Sequence, residues 1–344
     1  MLKPPLNNAK SLLRIVNSFV FRKWPIYVHY GITHRCNLLC RMCKIYQDAN
    51  EEEELSLYQV ERTFDFLKRL GVLYVSIGGG EPFLRKDLIP VIELIVRKGL
   101  VVRLLTNGTL VDEKSVKELS LIGLREVSVS LDTLDCFKQA YICNSEGVWE
   151  KTVHSIDLFS RFFPKNTRFL LINTVVSPLN IKELPELSKF AKKKGYFISF
   201  IPIESDEMPQ FMFTQTEHKW IDESYDYLIK IKKSGKSNIF NSSLFLEKSR
   251  QFLKFKKCNW QCDAGKLYFS INPRGEFSIC HRYKPSYRFL EKTSQNIIRS
   301  EGFRSYRESL VSKCSGCMRP CWAEVSFLFR NRRSLWEMIK LKLL

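Results

Sequence analysis

The sequence predicts an α/β protein, a partial (β/α)6 TIM-like barrel followed by a small cysteine-rich C-terminal domain. Three observations lead there. Four stretches share one grammar, a helix end, a glycine and an apolar β-rich run: KRLGVLYVSI, VRKGLVVRLL, SLIGLREVSV and KKKGYFISFI, with Gly71, Gly99, Gly123 and Gly195 at the junctions. Amphipathic helical patterns lie between these runs. After about residue 205 the grammar stops and cysteines gather.

Glycine after a helix takes the left-handed capping position. Near-continuous apolar runs suit parallel strands buried on both faces. Strands are expected near 26–33, 72–78, 100–106, 125–131, 167–176 and 196–204. Before the second, Ser56-Leu57-Tyr58-Gln59 reads as a capping box. Leu57, Val60, Phe64 and Leu67 then share one helical face, as do Val116, Leu119 and Ile122 further on. Six units with right-handed crossovers fall short of a closed eightfold barrel, and ligands should gather at the C-terminal strand ends. The expected division is an amphipathic segment at 1–25, the barrel core at 26–215 and a lysine-rich helical linker at 216–257. A cysteine-bearing domain at 258–325 follows, containing a hairpin at 266–280 around Asn272-Pro273-Arg274-Gly275, and then a basic amphipathic helix at 326–344.

The net charge of +19 on 344 residues fits a lysine-rich solvated surface, an anionic substrate or an anionic membrane face. No nucleic-acid module accompanies it, so no nucleic acid is expected as a partner. Eleven cysteines, an odd number in a long chain, do not form the pattern of a secreted disulfide scaffold. They cluster as Cys36/Cys40/Cys43, Cys258/Cys262/Cys280 and Cys314/Cys317/Cys321, which suggests two metal sites in a reducing, cytoplasmic compartment. Neither a signal peptide nor a run of about 18 apolar residues is read from the sequence.

Cys36, Cys40 and Cys43 follow the first expected strand at the barrel mouth. Zinc sites close with four ligands, often as paired knuckles. Three clustered thiols without a nearby fourth suit an iron–sulfur cluster with one iron left open. C-x3-C-x2-C after the first strand of a partial barrel resembles the radical S-adenosylmethionine (SAM) superfamily. That resemblance implies a [4Fe–4S] cluster on these three cysteines, with SAM chelating the fourth iron. It also implies SAM contacts at Met42, where the family usually has an aromatic residue, and at Gly79, Gly80 and Glu81 in GGGEP. A carboxylate suits the SAM ammonium, and glycines allow close backbone approach. Asn107 in LTNGT, Ser130 and Asp132 in SVSLD, Asn173 in LLINTVV and Ile203 beside the adenine complete the implied cofactor site. Cys143 and Asn144 stand where many relatives carry an Arg-Gly pair before a helix.

Cys262, Gly275 and Cys280 form C-x12-G-x4-C, followed by Cys314-x2-Cys317-x3-Cys321. This resembles the twitch and SPASM extensions of the superfamily and implies one auxiliary [4Fe–4S] cluster. The implied ligands are Cys262, Cys280, Cys314 and Cys317, with Cys321 or Cys258 as a substitute, and a structural zinc on the same thiols is the alternative. The implied reaction is one-electron cleavage of SAM to a 5′-deoxyadenosyl radical that abstracts hydrogen from an unactivated C–H. The outcome would be peptide or small-molecule oxidation, epimerisation or crosslinking, fed by a low-potential donor such as flavodoxin or ferredoxin. Residues 11–24 and 326–344 mix Leu, Phe and Trp with Arg and Lys. They read either as helices docked on the barrel or as interface segments at the inner face of a membrane, which would make a lipid-linked substrate the alternative. A non-catalytic iron–sulfur carrier is the reading of another class, and it has no need of Glu81, Asn107, Ser130 and Asp132 at successive strand ends.

Overall fold

The computed structural model describes residues 25–45, 54–204, 208–235, 237–257, 259–281, 283, 287, 288, 297, 298 and 300–343. The amphipathic segment expected before the first strand, and Cys258, lie outside the described residues.

Strands β1 (Tyr27–Thr33), β2 (Tyr74–Gly79), β3 (Val101–Thr106), β4 (Glu126–Ser130), β5 (Phe169–Val176) and β6 (Phe197–Pro202) pair in parallel in chain order. Each lies within a few residues of its expected span. Helices α1 (Leu57–Leu70), α2 (Leu88–Arg97), α3 (Glu113–Leu121), α4 (Cys136–Cys143), α5 (Val148–Phe162) and α6 (Leu184–Lys193) fill the crossovers, two of them in the fourth. The capping box at α1 is formed: Gln59 N donates to Ser56 Oγ and Ser56 N to Gln59 Oε1. Gly71 closes the same helix at φ 114°.

Alternation along β1 separates two environments. Val28, Tyr30 and Ile32 enter the core shared with the helices, where Tyr30 meets Phe64 edge-on at 5.5 Å. Tyr27 and His29 face the lumen, and both reach Ser76 Oγ, at 2.6 and 2.9 Å. Register sets Ser76 beside Arg103 and Arg103 beside Glu126. Arg103 donates to Glu126 at 2.7 Å, and its guanidinium lies 5.0–5.3 Å from the rings of Phe169, Phe240 and Tyr74. The Tyr74 hydroxyl also binds Glu126. A paired charge ringed by aromatic faces thus fills the lower lumen, leaving the strand ends above it for a site.

The hairpin read into a second domain continues the barrel's own sheet. β7 (Tyr268–Ile271) pairs in parallel with the free side of β1, Tyr27 opposite Tyr268 and His29 opposite Ser270. β8 (Glu276–Ser278) and β9 (Tyr287–Arg288) then add antiparallel, giving the order β6-β5-β4-β3-β2-β1-β7-β8-β9. The expected turn at Asn272–Gly275 is formed, with Asn272 N donating to Glu276 O and Gly275 N to Asn272 O. The linker forms helices α7 (His218–Lys233) and α8 (Ser243–Phe255), and the tail forms α9 (Glu301–Ser312), α10 (Pro320–Arg330) and α11 (Arg332–Leu343). α10 and α11 each place a carboxylate on the N-terminus of α8. Glu324 accepts from Ser242 N at 2.8 Å, and Glu337 from Ser243 N and Oγ at 2.7 and 2.8 Å. Carboxylates suit the positive end of a helix dipole. Residues 326–344, read either as docked or as membrane-facing, are therefore docked at least through Glu337. Among the described residues no helix is long and apolar enough to cross a membrane.

Arg85, buried just after β2, ties β1 to the chain before α1. Its guanidinium donates to Ile32 O at 3.2 Å, Leu55 O at 2.6 Å, the Tyr30 hydroxyl at 3.3 Å and Asp87 at 2.7 Å. Arg85→Ala orphans two buried carbonyls and is expected to cost at least about 3 kcal/mol in urea unfolding of the barrel.

Candidate active site

The loop holding Cys36, Cys40 and Cys43 leaves β1 and folds directly onto the end of β2. Gly80 N donates to Thr33 O and Glu81 N to Arg35 O, both at 2.8 Å. This closeness needs glycine twice. Gly79 sits at φ 119°, and a Cβ on it would lie 2.2 Å from Thr33 O. A Cβ on Gly80 would lie 2.0 Å from Arg35 O. No L side chain fits at either place without moving the cysteine loop.

Glu81 has no exposed surface. Its carboxylate accepts from Phe83 N at 3.2 Å, Thr106 Oγ1 at 2.8 Å and Asn107 N at 2.7 Å. The residue expected to meet the SAM ammonium is therefore taken up in joining the ends of β2 and β3. Burial pushes its pKa up to about 7 against the pull of those donors. Asn107, expected in the cofactor site at the end of the third strand, interlocks with the cysteine loop. Its Nδ2 donates to Asn37 Oδ1 at 3.0 Å, its Oδ1 accepts from Thr109 N and Oγ1 at 2.9 and 2.7 Å, and Asn37 Nδ2 donates to Thr109 Oγ1 at 2.8 Å. Asn107 also hydrogen-bonds Cys36. Asp132 is buried, accepts from Val175 N at 2.7 Å, and is likewise raised to about 7 by burial.

Ser130, Asn173 and Ser199 lie in register across β4, β5 and β6. Ser130 is exposed and Asn173 partly so, which makes this polar row available to a ligand as Glu81 is not. Ile203, expected beside an adenine, is 3% exposed and belongs to the hydrophobic core, whereas Ile201 is partly exposed. Met42 is partly exposed within the cysteine loop.

The donor set suits a cluster. Cys36, Cys40 and Cys43 are each partly buried, and Cys43 acts electrostatically on both others. Burial raises the Cys36 thiol, and contact with Cys143 followed by burial raises Cys40. Among the described residues no three His, Cys, Asp or Glu side chains converge as ligands of one ion would. Thiolates that bind different irons at the corners of a cluster need not converge.

The C-terminal cysteines also come together. Cys262 Sγ lies 3.1 Å from the Tyr268 hydroxyl and senses Cys314, while Cys317 senses Cys280 and Cys262. Cys321 is pushed up to about 12, first by burial, beside Arg319, Cys280 and Glu204. Beside Cys317 and Cys321 stands Arg319, which donates to Glu204 at 2.9 Å and remains 44% exposed. It acts on lumenal His29, whose pKa falls to about 4 through burial and then this charge. His281, hydrogen-bonded to Trp322 Nε1 at 2.9 Å and 3.6 Å from Cys280 Sγ, borders the second group. Arg319, His29, Glu204 and His281 went unread in the sequence. Arg319 alone carried a signal, as the basic residue between Cys317 and Cys321.

A family description, the radical SAM superfamily, matches residues 30–191. The GTP 3′,8-cyclase of Nautilia profundicola is 30% identical over 62% of this chain and 67% of its own length. The probable GTP 3′,8-cyclase of Archaeoglobus fulgidus is 36% identical over 46% of this chain and 52% of its own. The chain thus spans between about half and two thirds of these relatives. In fold it is similar to Streptococcus suis SuiB, with a TM-score of 0.65 and 17% identity over 88% of this chain and 74% of that one. It is also similar to anSMEcpe with AdoMet and the Cp18Cys peptide bound, with a TM-score of 0.63 and 16% identity over 92% and 95%. The chain belongs to the radical SAM superfamily and is an enzyme of that class, which uses a [4Fe–4S] cluster and SAM.

Glu81 binds its proton more tightly folded than unfolded. The stability linked to that proton is full below the ordinary carboxyl range and is lost as pH rises through about 7. Glu81→Gln, whatever fixed cost its amide brings, should gain stability relative to the wild type between pH 5 and pH 8. Paired thermal melts of metal-free protein check this.

Proposed function

We propose that this enzyme abstracts a hydrogen atom from an unactivated C–H of a substrate held in the barrel mouth between two iron–sulfur clusters. The observation that carries the proposal is the Cys36/Cys40/Cys43 loop, pinned to the Gly79–Gly80 turn and to Asn107 at successive strand ends. When bound, the cluster and SAM supply one-electron cleavage of the sulfonium, yielding methionine and a 5′-deoxyadenosyl radical.

The chain's own part is placement. Cys36, Cys40 and Cys43 would hold the cluster, and the carbonyls of the Gly79–Gly80 turn, packed on the cysteine loop, would offer acceptors to the SAM ammonium. Ser130 and Asn173 offer hydrogen bonds from the lumenal row, and Ile201 rather than Ile203 offers the apolar edge. Cys262, Cys280, Cys314 and Cys317 hold an auxiliary [4Fe–4S] cluster, with Cys321 at the side facing Arg319. Arg319 supports a substrate with an anionic group, since a half-exposed guanidinium beside the second cysteine group is a ready partner for carboxylate or phosphate. A low-potential donor such as flavodoxin or ferredoxin supplies the electron.

A second reading, cyclisation of GTP, is favoured by the names of the sequence relatives, whose similarity extends over the barrel. The two are separated by anaerobic incubation with SAM and dithionite, with and without GTP. 5′-Deoxyadenosine released without GTP-dependent acceleration rejects cyclisation and keeps the general reading. Cys36→Ala, Cys40→Ala or Cys43→Ala should abolish 5′-deoxyadenosine formation, and wild-type release from any of them would refute the assignment. Iron and sulfide analysis should give about eight of each per chain, as two [4Fe–4S] clusters require. Iron for one cluster plus stoichiometric zinc would remove the auxiliary cluster.

A further inference from the structure

Three lumenal side chains form one hydrogen-bonded row that ends on an open nitrogen. Tyr27 and His29 of β1 both reach Ser76 Oγ of β2, at 2.6 and 2.9 Å, and His29 does so through Nδ1. From there the imidazole runs along β2 toward the mouth. A Cβ placed on Gly78 would lie 3.2 Å from His29 Cε1, so a side chain at that position would press on the ring. His29 remains partly exposed. Its Nε2 has no hydrogen-bond partner among the described residues, yet it is not a buried atom, so it opens on free space.

Counting protons fixes the direction of the row. Ser76 has one hydroxyl proton and two neighbours. Tyr27 is buried, and among the described residues its hydroxyl has no hydrogen-bond partner but Ser76 Oγ. A Ser76 hydroxyl that donated to Tyr27 would leave the phenol proton as an orphaned buried donor. Tyr27 therefore donates to Ser76, and Ser76 donates to His29 Nδ1. That nitrogen accepts, so the neutral ring carries its proton on Nε2. Burial and then the Arg319 charge lower the His29 pKa to about 4, which keeps the ring neutral at physiological pH. The row thus presents one fixed, uncharged N–H donor to the lumen.

We infer that His29 Nε2–H donates a hydrogen bond to an anionic oxygen of the substrate, carboxylate or phosphate, and that Tyr27 and Ser76 hold the ring in the one tautomer able to do so. The inference rests on the reading of the barrel mouth as the substrate site, and it names the group that site takes. An anionic acceptor binds an N–H more strongly than a neutral carbonyl does, and the cationic field of Arg319 at His29 favours it further. His29 lies four residues before the end of β1 at Thr33, so the oxygen it holds belongs to the deep end of the substrate. Tyr27 and Ser76 are positioning residues that act through His29.

The test uses the full chain, reconstituted anaerobically, kept oxidised and supplied with SAM. 15N-histidine labelling reports on five imidazoles, and the signals lost in His29→Gln identify His29. At neutral pH the wild type should carry its proton on Nε2 and none on Nδ1. A proton on Nδ1, or on both nitrogens, overturns the inference. Inorganic phosphate and acetate are then titrated separately. At least one should shift the Nε2 proton downfield and saturate, and the effective ion tells phosphate from carboxylate. A proton that neither anion moves overturns the inference. His29→Gln keeps a donor near the Nε2 position, whereas His29→Asn sets its amide beside Ser76 and leaves that position empty. Calorimetric affinity for the effective anion should fall about tenfold or more in His29→Asn and less in His29→Gln. Wild-type affinity in His29→Asn overturns the inference, and if that variant does not fold the wild-type spectra decide alone. 5′-Deoxyadenosine release by the wild type with SAM and dithionite tests the underlying reading separately. Its absence removes that reading, whereas its presence with the wrong tautomer or an unmoved proton removes only the role of His29.

Discussion

The cofactor site depends on one buried carboxylate. Glu81 receives the amide of Asn107 and the hydroxyl of Thr106 from β3, while its own amide is spent on Arg35 of the cysteine loop. Three segments distant in sequence, the ends of β1, β2 and β3, are therefore fixed by one residue. The cost of burying a carboxyl is met by three donors and by the site's tolerance of its proton.

A second principle runs through the lumen. Two arginines each have a carboxylate partner. Arg103 has Glu126 and three aromatic faces, and Arg319 has Glu204. The two pairs differ in access. Arg103 is walled in, so it stabilises the barrel and has little left to offer a ligand. Arg319 keeps solvent contact while paired, so a substrate can share it without exposing an unpaired charge. The polar row of Ser130, Asn173 and Ser199 is built by strand register and not by any local motif.

Most of the barrel was legible because parallel strands buried on both faces leave long apolar runs and the intervening helices leave glycine caps. The cysteine loop was legible because metal ligation fixes spacing. What the sequence hid was direction. Glu81, Asn107 and Asp132 were correctly placed at strand ends, yet Glu81 and Asp132 brace the backbone and Asn107 braces the loop, since a polar residue at a strand end meets neighbouring amides as easily as a ligand. Ile203 exchanged places with Ile201 because one residue of drift past a strand end reverses facing. The hairpin was read in the right place but assigned to a separate unit, because nothing local reveals that β7 pairs with β1.

That pairing has a consequence for how the chain comes to be folded. β1 is nearly the first element made, and its second neighbour is β7, about 240 residues later. Throughout synthesis of the intervening barrel, the strand that leads into the cysteine loop presents an open edge, the kind of surface that recruits wrong partners. The same opening leaves the loop approachable from that side until residues 268–271 emerge. Closure of the sheet beside the cysteine loop therefore waits on residues 268–271.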